Sequence, residues 1–344
     1  MIISNHIDNL IDKYSFFAFD LWGVIHDGEK LYPNVARVLD ILQKENKFVA
    51  FISNAPRRSA KAKEVLDNLK IDSSLYLDII TSGECVFNHL KHNQQNYSKF
   101  GKKFFYFGPD KDKSLLTGLE YHQTDIDNAD FVVLTGLTEN ANVLADDLSR
   151  INKITARNLP IICANPDLKV VKQSGEELCC AGVVAKEFKD RGMNVAYFGK
   201  PYLSIYQELL NIFSKSNGGK INIDKSKILA IGDSVETDLA GALEFGIDIA
   251  FTTCGIYRPN FTNINNHHKV LEGLIRSKIV DFDENKQSDY AEVIKFAEKL
   301  GLESGSKFKF VDMPHIQCRH GLTIQEAKKR LLSGNLVNGF IKVR

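Results

Sequence analysis

The sequence predicts an α/β fold, in which a doubly wound, Rossmann-like parallel sheet carries helices on both faces and is interrupted by an inserted α/β domain. Short apolar runs stop abruptly at a polar or glycine-containing turn, which is typical of buried parallel strands. Helical patterns lie between these runs, and strand alternating with helix indicates right-handed crossovers. A length of 344 residues favours about two domains.

Polar side chains follow three of the predicted strands at the point where each strand ends. The apolar runs and the residues that end them are 16–19 with Asp20, 48–52 with Ser53, and 228–231 with Asp233. Helical patterns at 36–44 and 59–69 follow the first two runs. Ligands of such sheets bind beyond the carboxyl ends of the strands, so we expect the three side chains to line one crevice. One aspartate after a strand is an ordinary turn former, but three converging strand ends favour a functional site.

The long stretch between the second and third of these strand ends predicts a domain of its own. It contains apolar runs at 104–107, 131–134 and 161–163 and a helical pattern at 142–155. We therefore predict three parts: a discontinuous core domain of residues 1–82 and 191–265, an inserted cap domain of residues 83–190, and a C-terminal extension of unknown role at residues 266–344.

The composition is that of an ordinary globular protein, and it argues against several kinds of partner. Lys and Arg number 44 against 43 acidic residues, and no basic stripe with interleaved aromatics occurs, so nucleic acid is not expected to bind. No stretch approaches the roughly 20 apolar residues that span a bilayer, and the N-terminus lacks a secretory pattern. The six cysteines form no CxxC pair. We expect a cytoplasmic protein without membrane association, and association into a homo-oligomer is left open.

The residue types at the predicted crevice match the needs of phosphate-ester hydrolysis through a covalent intermediate. That reaction uses a nucleophile, a cation that neutralises phosphoryl charge, and donors that hold the phosphate oxygens. Asp20 offers the nucleophilic carboxylate, and Asp233 a second carboxylate that would hold Mg²⁺ beside it. Ser53 and Asn54 offer a hydroxyl and nearby backbone N–H groups. Lys200 offers a positive charge that is expected to keep Asp20 ionised, although alone it would be a surface lysine in a turn.

Four motifs, in this order and spacing, resemble the haloacid dehalogenase superfamily. They are FFAFDLWGVIHDG (16–28), FISNAPR (51–57), FGKPY (198–202) and IGDSVETDLAGA (231–242). The resemblance is to subclass IIA, whose members carry a type IIA cap and include nitrophenyl-phosphatase-like and pyridoxal-phosphate-phosphatase-like enzymes. It implies a phosphatase that uses Mg²⁺ and acts on a small phosphorylated metabolite through an aspartyl-phosphate.

The resemblance also implies a role for each matched residue. These roles are catalysis by Asp20, Ser53 and Lys200; metal binding by Asp20, Asp233, Asp238 and the backbone carbonyl of Trp22; and substrate contact by Trp22, Gly23, Asn54, Asn165 and Asp167. Asp238 also suits the start of a helix, so a capping role is a rival interpretation.

The first motif departs from the family's pattern at one position. Phosphatases of this family carry Asp-x-Asp, in which the second Asp is the general acid, whereas this chain has Trp22 there. An indole cannot act as that acid, and acid catalysis typically contributes about 10²–10⁴-fold. His26 and Asp27 are the nearest substitutes along the chain, although a histidine followed by Asp-Gly is also ordinary turn chemistry.

The missing acid leaves two alternatives to an efficient phosphatase. One is a catalytically weak or regulatory protein that binds the same ligand. The other is a phosphonate-type hydrolase, which would need a Schiff-base lysine in the cap, where Lys186 and Lys189 occur. A metal-independent dehalogenase is disfavoured, because such enzymes lack the carboxylates present here as Asp233 and Asp238.

Overall fold

A computed structural model describes most of the chain up to residue 261. The described residues are 7–93, 101–139, 141, 144–216, 218, 223–261, 270–271, 336–337 and 340–341. The C-terminal extension predicted at 266–344 therefore lies almost wholly outside the described residues.

The secondary structure alternates between strands and helices along the chain. The strands are β1 (Phe16–Asp20), β2 (Phe48–Ser53), β3 (Ile79–Thr81), β4 (Lys103–Phe107), β5 (His122–Thr124), β6 (Phe131–Leu134), β7 (Ile161–Cys163), β8 (Lys169–Val171), β9 (Glu177–Cys179), β10 (Val195–Tyr197), β11 (Ile228–Gly232), β12 (Asp248–Phe251), β13 (Leu336–Val337) and β14 (Phe340–Ile341). The helices are α1 (Asp8–Ile11), α2 (Val35–Lys44), α3 (Ser59–Asn68), α4 (Ser82–Asn93), α5 (Leu148–Ala156), α6 (Ala181–Asp190), α7 (Leu203–Ser216), α8 (Ala240–Phe245) and α9 (Arg258–Phe261).

The first sheet is wholly parallel and has the order β12-β11-β1-β2-β3. Every residue of β1 is buried, because helices cover both faces of the sheet. On one face Phe17 and Phe51 belong to a core that includes α2 and α3, and on the other Phe16 belongs to a core that includes α7 and α8. The predicted doubly wound α/β fold is confirmed. The chain order reverses between β1 and β11, which is the position where such sheets bind ligands.

A second parallel sheet has the order β10-β7-β6-β4-β5. One face packs on α5 and α6, and the other on α4 and the 3₁₀ segment Asp110–Leu116. Its edge strand Val195–Tyr197 lies beyond residue 190, where the sequence analysis ended the cap, because this short run pairs with Ile161–Cys163. The helix predicted from residue 142 begins at Leu148, since the 3₁₀ turn Leu144–Asp147 precedes it.

A short antiparallel hairpin, β8 with β9, extends from the second sheet towards the loop that follows β1. The turn of this hairpin contacts that loop through several hydrogen bonds described below. None of the helices among the described residues combines the length and apolar character that a membrane crossing requires.

Candidate active site

The carboxyl ends of β1 and β11 bring a group of acidic side chains together. Asp20 is the last residue of β1, and Asp233 directly follows β11. Asp238 lies one turn further on, in the π-helical segment Val235–Leu239. All three carboxyl groups are buried, and each offers an oxygen within 4.8 Å of the others. The convergence predicted for Asp20 and Asp233 is what the structure shows.

The two carboxylate oxygens of Asp20 have different surroundings. Oδ1 accepts hydrogen bonds from the Leu21 backbone N–H at 2.8 Å and from Lys200 Nζ at 2.6 Å. Oδ2 has no hydrogen-bond partner among the described residues. The side chain is thus held in place by one oxygen while the other is left for a ligand or an electrophile.

Lys200 is buried, with 2% of its surface exposed, and lies between two of the carboxylates. Nζ contacts Asp20 Oδ1 at 2.6 Å and Asp238 Oδ1 at 2.7 Å. Burial lowers the pKa of Lys200, but the nearby carboxylates of Asp20, Asp238 and Asp167 outweigh burial and raise it overall. The side chain is therefore cationic throughout the physiological pH range.

Burial raises the pKa of Asp20 well above its ordinary value, and the charges of Asp238 and Asp233 add to the effect. Lys200 lowers the pKa of Asp20 but does not outweigh these contributions. Lys200 thus favours the ionised form of Asp20, as expected, but burial and two neighbouring carboxyl groups oppose it. Burial and the Asp238 charge likewise raise the pKa of Asp233, to about 7.

Asp233 is enclosed by backbone on two sides. Its Oδ2 accepts a hydrogen bond of 2.6 Å from the Ile256 N–H, and its Oδ1 has no partner among the described residues. Gly23 adopts a φ of +88°, and a Cβ built there would lie 2.1 Å from Asp233 Oδ2. Gly23, predicted to contact substrate, thus lets the first-motif turn pack directly on the Asp233 carboxylate.

Asp238 is bound to protein groups through both oxygens. Oδ1 accepts from Lys200 Nζ, and Oδ2 accepts from the N–H groups of Asp233 at 3.2 Å and Ser234 at 3.1 Å. Ser234 Oγ in turn accepts from the Thr237 N–H, as a helix cap does. Asp238 therefore fixes the loop that carries Asp233 and orients Lys200.

Ser53 ends β2 and Asn54 follows it, and the two side chains differ in which hydrogen-bonding groups remain available to a ligand. Ser53 is buried, and among the described residues its Oγ accepts from the Ala55 N–H alone, at 3.2 Å, so its hydroxyl proton can serve a phosphate oxygen. Asn54 Nδ2 donates to Asp167 Oδ1 at 2.8 Å and to the Lys200 carbonyl at 3.0 Å, and Oδ1 accepts from the Lys200 N–H at 2.7 Å. The side-chain amide of Asn54 therefore positions Lys200 and Asp167, and the predicted substrate contact of Asn54 stays a prediction for its backbone N–H.

Trp22 joins the first-motif loop to the hairpin. Its Nε1–H donates to the Val171 carbonyl at 3.1 Å, and its ring meets the ring of His26 edge to face with centroids 6.1 Å apart. A Cβ built on Gly28 would lie 2.7 Å from the indole, so the ring covers that glycine closely. The one polar side-chain atom of Trp22 is therefore used across the domain contact and not on a substrate.

The two nearest substitutes for the general acid, His26 and Asp27, both have lowered pKa values and are therefore deprotonated at neutral pH. Burial lowers the pKa of His26 to about 4, and its Nδ1 accepts from the Gly28 N–H, so the ring is neutral at pH 7. Burial raises the pKa of Asp27, but backbone N–H groups of Lys30, Gln173 and Glu29 outweigh it and the net shift is downward. Asp27 is thus an ionised acceptor that holds a turn. Neither residue is in its acidic form at neutral pH, since His26 is a neutral imidazole and Asp27 a carboxylate.

The cap residues Asn165 and Asp167 form one turn above the crevice. Asn165 is buried, and its Oδ1 accepts from the Asp167 N–H at 2.9 Å. Asp167 is tied to the core by its bond from Asn54. Burial raises the pKa of Asp167 to about 6, although Lys200 and Asn54 lower it. Both predicted cap residues are thus brought to the site, and only Asp167 has a carboxyl group to offer.

Several contacts between cap and core were not anticipated from the sequence. Arg57 contacts the buried carboxylate of Asp112 at 3.3 Å, and Gln173 donates its backbone N–H to Asp27 Oδ2 at 3.0 Å. Arg57 lies in the quoted second motif, so its place near the crevice could have been expected. Nothing in the sequence marks Asp112 or Gln173, because their partners are distant in the chain.

The donors of the site fit a divalent cation that prefers oxygen ligands. Among the described residues, Asp20 Oδ2 and Asp233 Oδ1 lack partners, and the ammonium of Lys200 contacts two of the three buried carboxyl groups, those of Asp20 and Asp238. Burial, and after it the charge of the neighbouring carboxyl groups, raises the pKa values of Asp20 and Asp233. Mg²⁺ typically takes one or two carboxylates and completes its shell with water and phosphate oxygens.

The three aspartates lie at the point of the core sheet where the strand order reverses, and a second parallel sheet lies beside the core. This combination of fold and site is that of a hydrolase. A family model described as haloacid dehalogenase-like hydrolase matches residues 17–122, and one described as HAD-hydrolase-like matches residues 197–276. Together they contain Asp20, Ser53, Lys200 and Asp233. The chain belongs to the haloacid dehalogenase superfamily of hydrolases, as its motifs implied.

Known proteins of this superfamily resemble the chain over most of their length. The acid sugar phosphatase of Staphylococcus epidermidis is 21% identical over 244 residues, which cover 71% of this chain and 88% of that protein. A haloacid dehalogenase-like hydrolase of Brucella suis superposes with a TM-score of 0.69 at 27% identity, covering 80% of this chain and 96% of its own. The p-nitrophenyl phosphatase of Archaeoglobus fulgidus has a TM-score of 0.59 at 19% identity, covering 82% and 99%.

Proposed function

We propose that the protein is a Mg²⁺-dependent phosphatase that hydrolyses a small phosphorylated metabolite through an aspartyl-phosphate on Asp20. The observation that carries this proposal is the side chain of Asp20, which Leu21 and Lys200 hold through Oδ1 while Oδ2 has no partner among the described residues. The same side chain offers an oxygen within 4.8 Å of oxygens of Asp233 and Asp238. A carboxylate restrained in this way is oriented for attack without needing to reorganise.

The side chains supply the groups that the reaction uses. Asp20 Oδ2 attacks phosphorus, the bond from phosphorus to the ester oxygen breaks, and a water molecule later hydrolyses the resulting acyl phosphate. Lys200 and the Ser53 hydroxyl hold phosphoryl oxygens as negative charge develops on them. Mg²⁺, held by Asp20 and Asp233 with the Trp22 carbonyl, would neutralise phosphoryl charge and favour the ionised form of Asp20.

The relatives support a phosphate monoester as the substrate class. The protein from S. epidermidis is named an acid sugar phosphatase and that from A. fulgidus a p-nitrophenyl phosphatase. Both names describe monoesters, with an alcohol or a phenol as the leaving group. The bond between Asn54 and Asp167 holds the cap turn beside the catalytic cluster, which supports a small substrate.

Phosphate release from p-nitrophenyl phosphate tests the proposal. We expect hydrolysis with Mg²⁺, none with EDTA, and a loss of at least about 10³-fold in Asp20→Asn, because the amide is not a nucleophile. Asp12→Asn, at an exposed position outside the site, is the matched control and should retain full activity. Activity that survives in Asp20→Asn would exclude the covalent mechanism.

Trp22 favours a second candidate, a protein that binds a phosphorylated ligand with little turnover. Tight binding of p-nitrophenyl phosphate without release of phosphate would support it over the phosphatase. For a phosphonate-type hydrolase the structure offers less, because Lys186 and Lys189 are both exposed on α6 and Lys186 pairs with Asp190.

A further inference from the structure

The leaving-group oxygen of a monoester needs a proton, and the first-motif residues do not provide one. Trp22 donates its only N–H to Val171, His26 is neutral at pH 7, and Asp27 is ionised. A donor must therefore come from another segment that reaches the crevice. The turn of the cap that contains Asp167 is the segment that brings a further carboxyl group there.

The backbone of Asp167 is fixed on both sides. Its N–H donates to Asn165 Oδ1 at 2.9 Å, and its carbonyl accepts from the Gly182 N–H at 3.0 Å. A Cβ built on Gly182 would lie 2.5 Å from the Asp167 carbonyl oxygen, so the turn packs directly against the start of α6. The carboxyl group is thus presented by a rigid turn with a precise orientation.

The amide of Asn54 connects this carboxyl group to the catalytic cluster. Asn54 Nδ2 donates both to Asp167 Oδ1 and to the Lys200 carbonyl, and the Lys200 ammonium holds Asp20. Asp167 Oδ2 has no partner among the described residues, and the residue is partly exposed. One oxygen is therefore anchored to the core, while the other is left available for a ligand.

We propose that Asp167 is the general acid of this enzyme and replaces, from the cap, the carboxyl group that Trp22 displaces from the first motif. The proposal rests on the proposed phosphatase function and assigns one step within it.

The protonation state suits this role. Burial raises the pKa of Asp167 to about 6, against opposing effects of Lys200 and Asn54, so a useful fraction of the carboxyl is protonated near neutral pH. An anionic substrate close by would raise it further. Because Asn54 donates to Oδ1, the proton resides on Oδ2, the open oxygen.

The proton balances over the full reaction. As Asp20 Oδ2 bonds to phosphorus, the bond to the ester oxygen breaks with its electron pair, and that oxygen takes the proton from Asp167 Oδ2 and leaves as an alcohol. In the second half, a water oxygen attacks phosphorus and gives its proton to the Asp167 carboxylate. The bond from phosphorus to Asp20 then breaks, releasing phosphate with Asp167 protonated again.

Leaving groups of different basicity test the proposal through Asp167→Asn, which keeps the size of the side chain and an acceptor for Asn54. We expect kcat on glycerol 3-phosphate, whose leaving group is basic, to fall about 10²–10⁴-fold. The kcat on p-nitrophenyl phosphate, whose phenolate leaves without a proton, should fall less than about tenfold. Asp127→Asn, on the exposed surface of the cap, is the control and should change neither.

The pH profile gives a second readout. In the unmodified enzyme, kcat on glycerol 3-phosphate should decline as pH rises above about 6 relative to kcat on p-nitrophenyl phosphate. In Asp167→Asn this relative decline should disappear. Equal losses on both substrates, or a loss in KM alone, would overturn the proposal by assigning Asp167 to binding or folding. Absence of p-nitrophenyl phosphate hydrolysis in the unmodified enzyme would instead overturn the proposed function.

A second substitution distinguishes a role of Asp167 as the general acid from a purely structural role. Placing a carboxyl group at the family's usual position by Trp22→Asp should restore kcat on glycerol 3-phosphate when combined with Asp167→Asn, and should raise it little in the unmodified background. A large gain from Trp22→Asp alone would mean that the enzyme lacks an acid altogether, and would contradict the proposal. The p-nitrophenyl phosphate rate shows whether each variant is folded.

Discussion

Lys200 compensates the charge of the buried cluster, so its removal should affect folding as well as catalysis. In Lys200→Met the carboxylates of Asp20 and Asp238 lose their shared partner, and we expect the free energy of unfolding at pH 8 to fall by about 3–5 kcal/mol. The loss should be smaller at pH 5, because carboxyl groups with raised pKa values take up protons there. Chemical denaturation at the two pH values measures both effects.

An exposed ion pair supplies the control for that measurement. Lys153 contacts Asp127 at 2.7 Å with more than half of each side chain exposed. Lys153→Met should change the free energy of unfolding by less than about 1 kcal/mol at either pH. A loss in Lys200→Met no greater than this would show that the buried carboxyl groups are neutral or solvated.

Two glycines with similar backbone angles allow the close approach at Asp233 to be tested. Gly23 and Gly175 have φ of +88° and +92°, but only at Gly23 would a Cβ meet other atoms, with Asp233 Oδ2 at 2.1 Å. Both alanine variants carry the backbone strain of about 1 kcal/mol. Gly23→Ala should additionally lower kcat at least about 10²-fold by displacing the carboxylate, whereas Gly175→Ala should keep the normal rate. Similar rates in the two variants would contradict this placement of Asp233.

At the scale of single residues, the sequence predicted those side chains whose position depends on a strand end. Asp20, Ser53 and Asp233 follow buried apolar runs, so the sheet alone brings them together. The sequence did not predict the contacts of Trp22, or that the side-chain amide of Asn54 bonds to Lys200 and Asp167. Those properties depend on contacts between residues more than 100 positions apart, such as Asn54 with Asp167, and periodicity carries no information on them.

Among the elements, the β8–β9 hairpin and the loop after β1 form the main polar contact between the two sheets. Asp27 accepts the Gln173 N–H at 3.0 Å as well as two N–H groups of its own turn, and Gln173 Nε2 donates to the Leu31 carbonyl. Asp27→Ala should therefore loosen the hairpin. We expect amide hydrogen exchange at Gln173 to speed up about tenfold, the loss of one hydrogen bond to a charged group.

The same measurement on Asp127→Ala, which removes a carboxylate from the outer surface of the cap, should leave exchange at Gln173 unchanged. If Asp27→Ala had no greater effect, the hairpin would be held by Trp22 and its other contacts alone. The sequence predicted β1, β2, β4, β6, β7 and β11, whose apolar runs are mostly buried. It missed β3, which has only three residues, and β5, β10, β12 and the two hairpin strands, which are short and at least partly exposed.

For the molecule as a whole, stability and pH are linked by groups that act in opposite directions. Between its ordinary pKa of 3.8 and about 7, Asp233 binds more protons in the folded state than in the unfolded state, so it makes stability fall as pH rises. His26, whose pKa is lowered from 6.5 to about 4, binds more protons when unfolded and makes stability rise over that window. The two contributions partly cancel between about pH 4 and 6.5, so the pH dependence of the metal-free protein alone cannot reveal the site.

The difference between Mg²⁺ and EDTA isolates the carboxylate cluster, because His26 contributes equally to both. A cation bound by Asp20 and Asp233 must displace their protons, so the rise in melting temperature caused by Mg²⁺ should be larger at pH 8 than at pH 5. Asp233→Asn should abolish the rise, and Asp12→Asn should leave it intact. An equal rise at both pH values would place the ion elsewhere, since only a site built from carboxyl groups that are protonated at pH 5 gains affinity as they ionise.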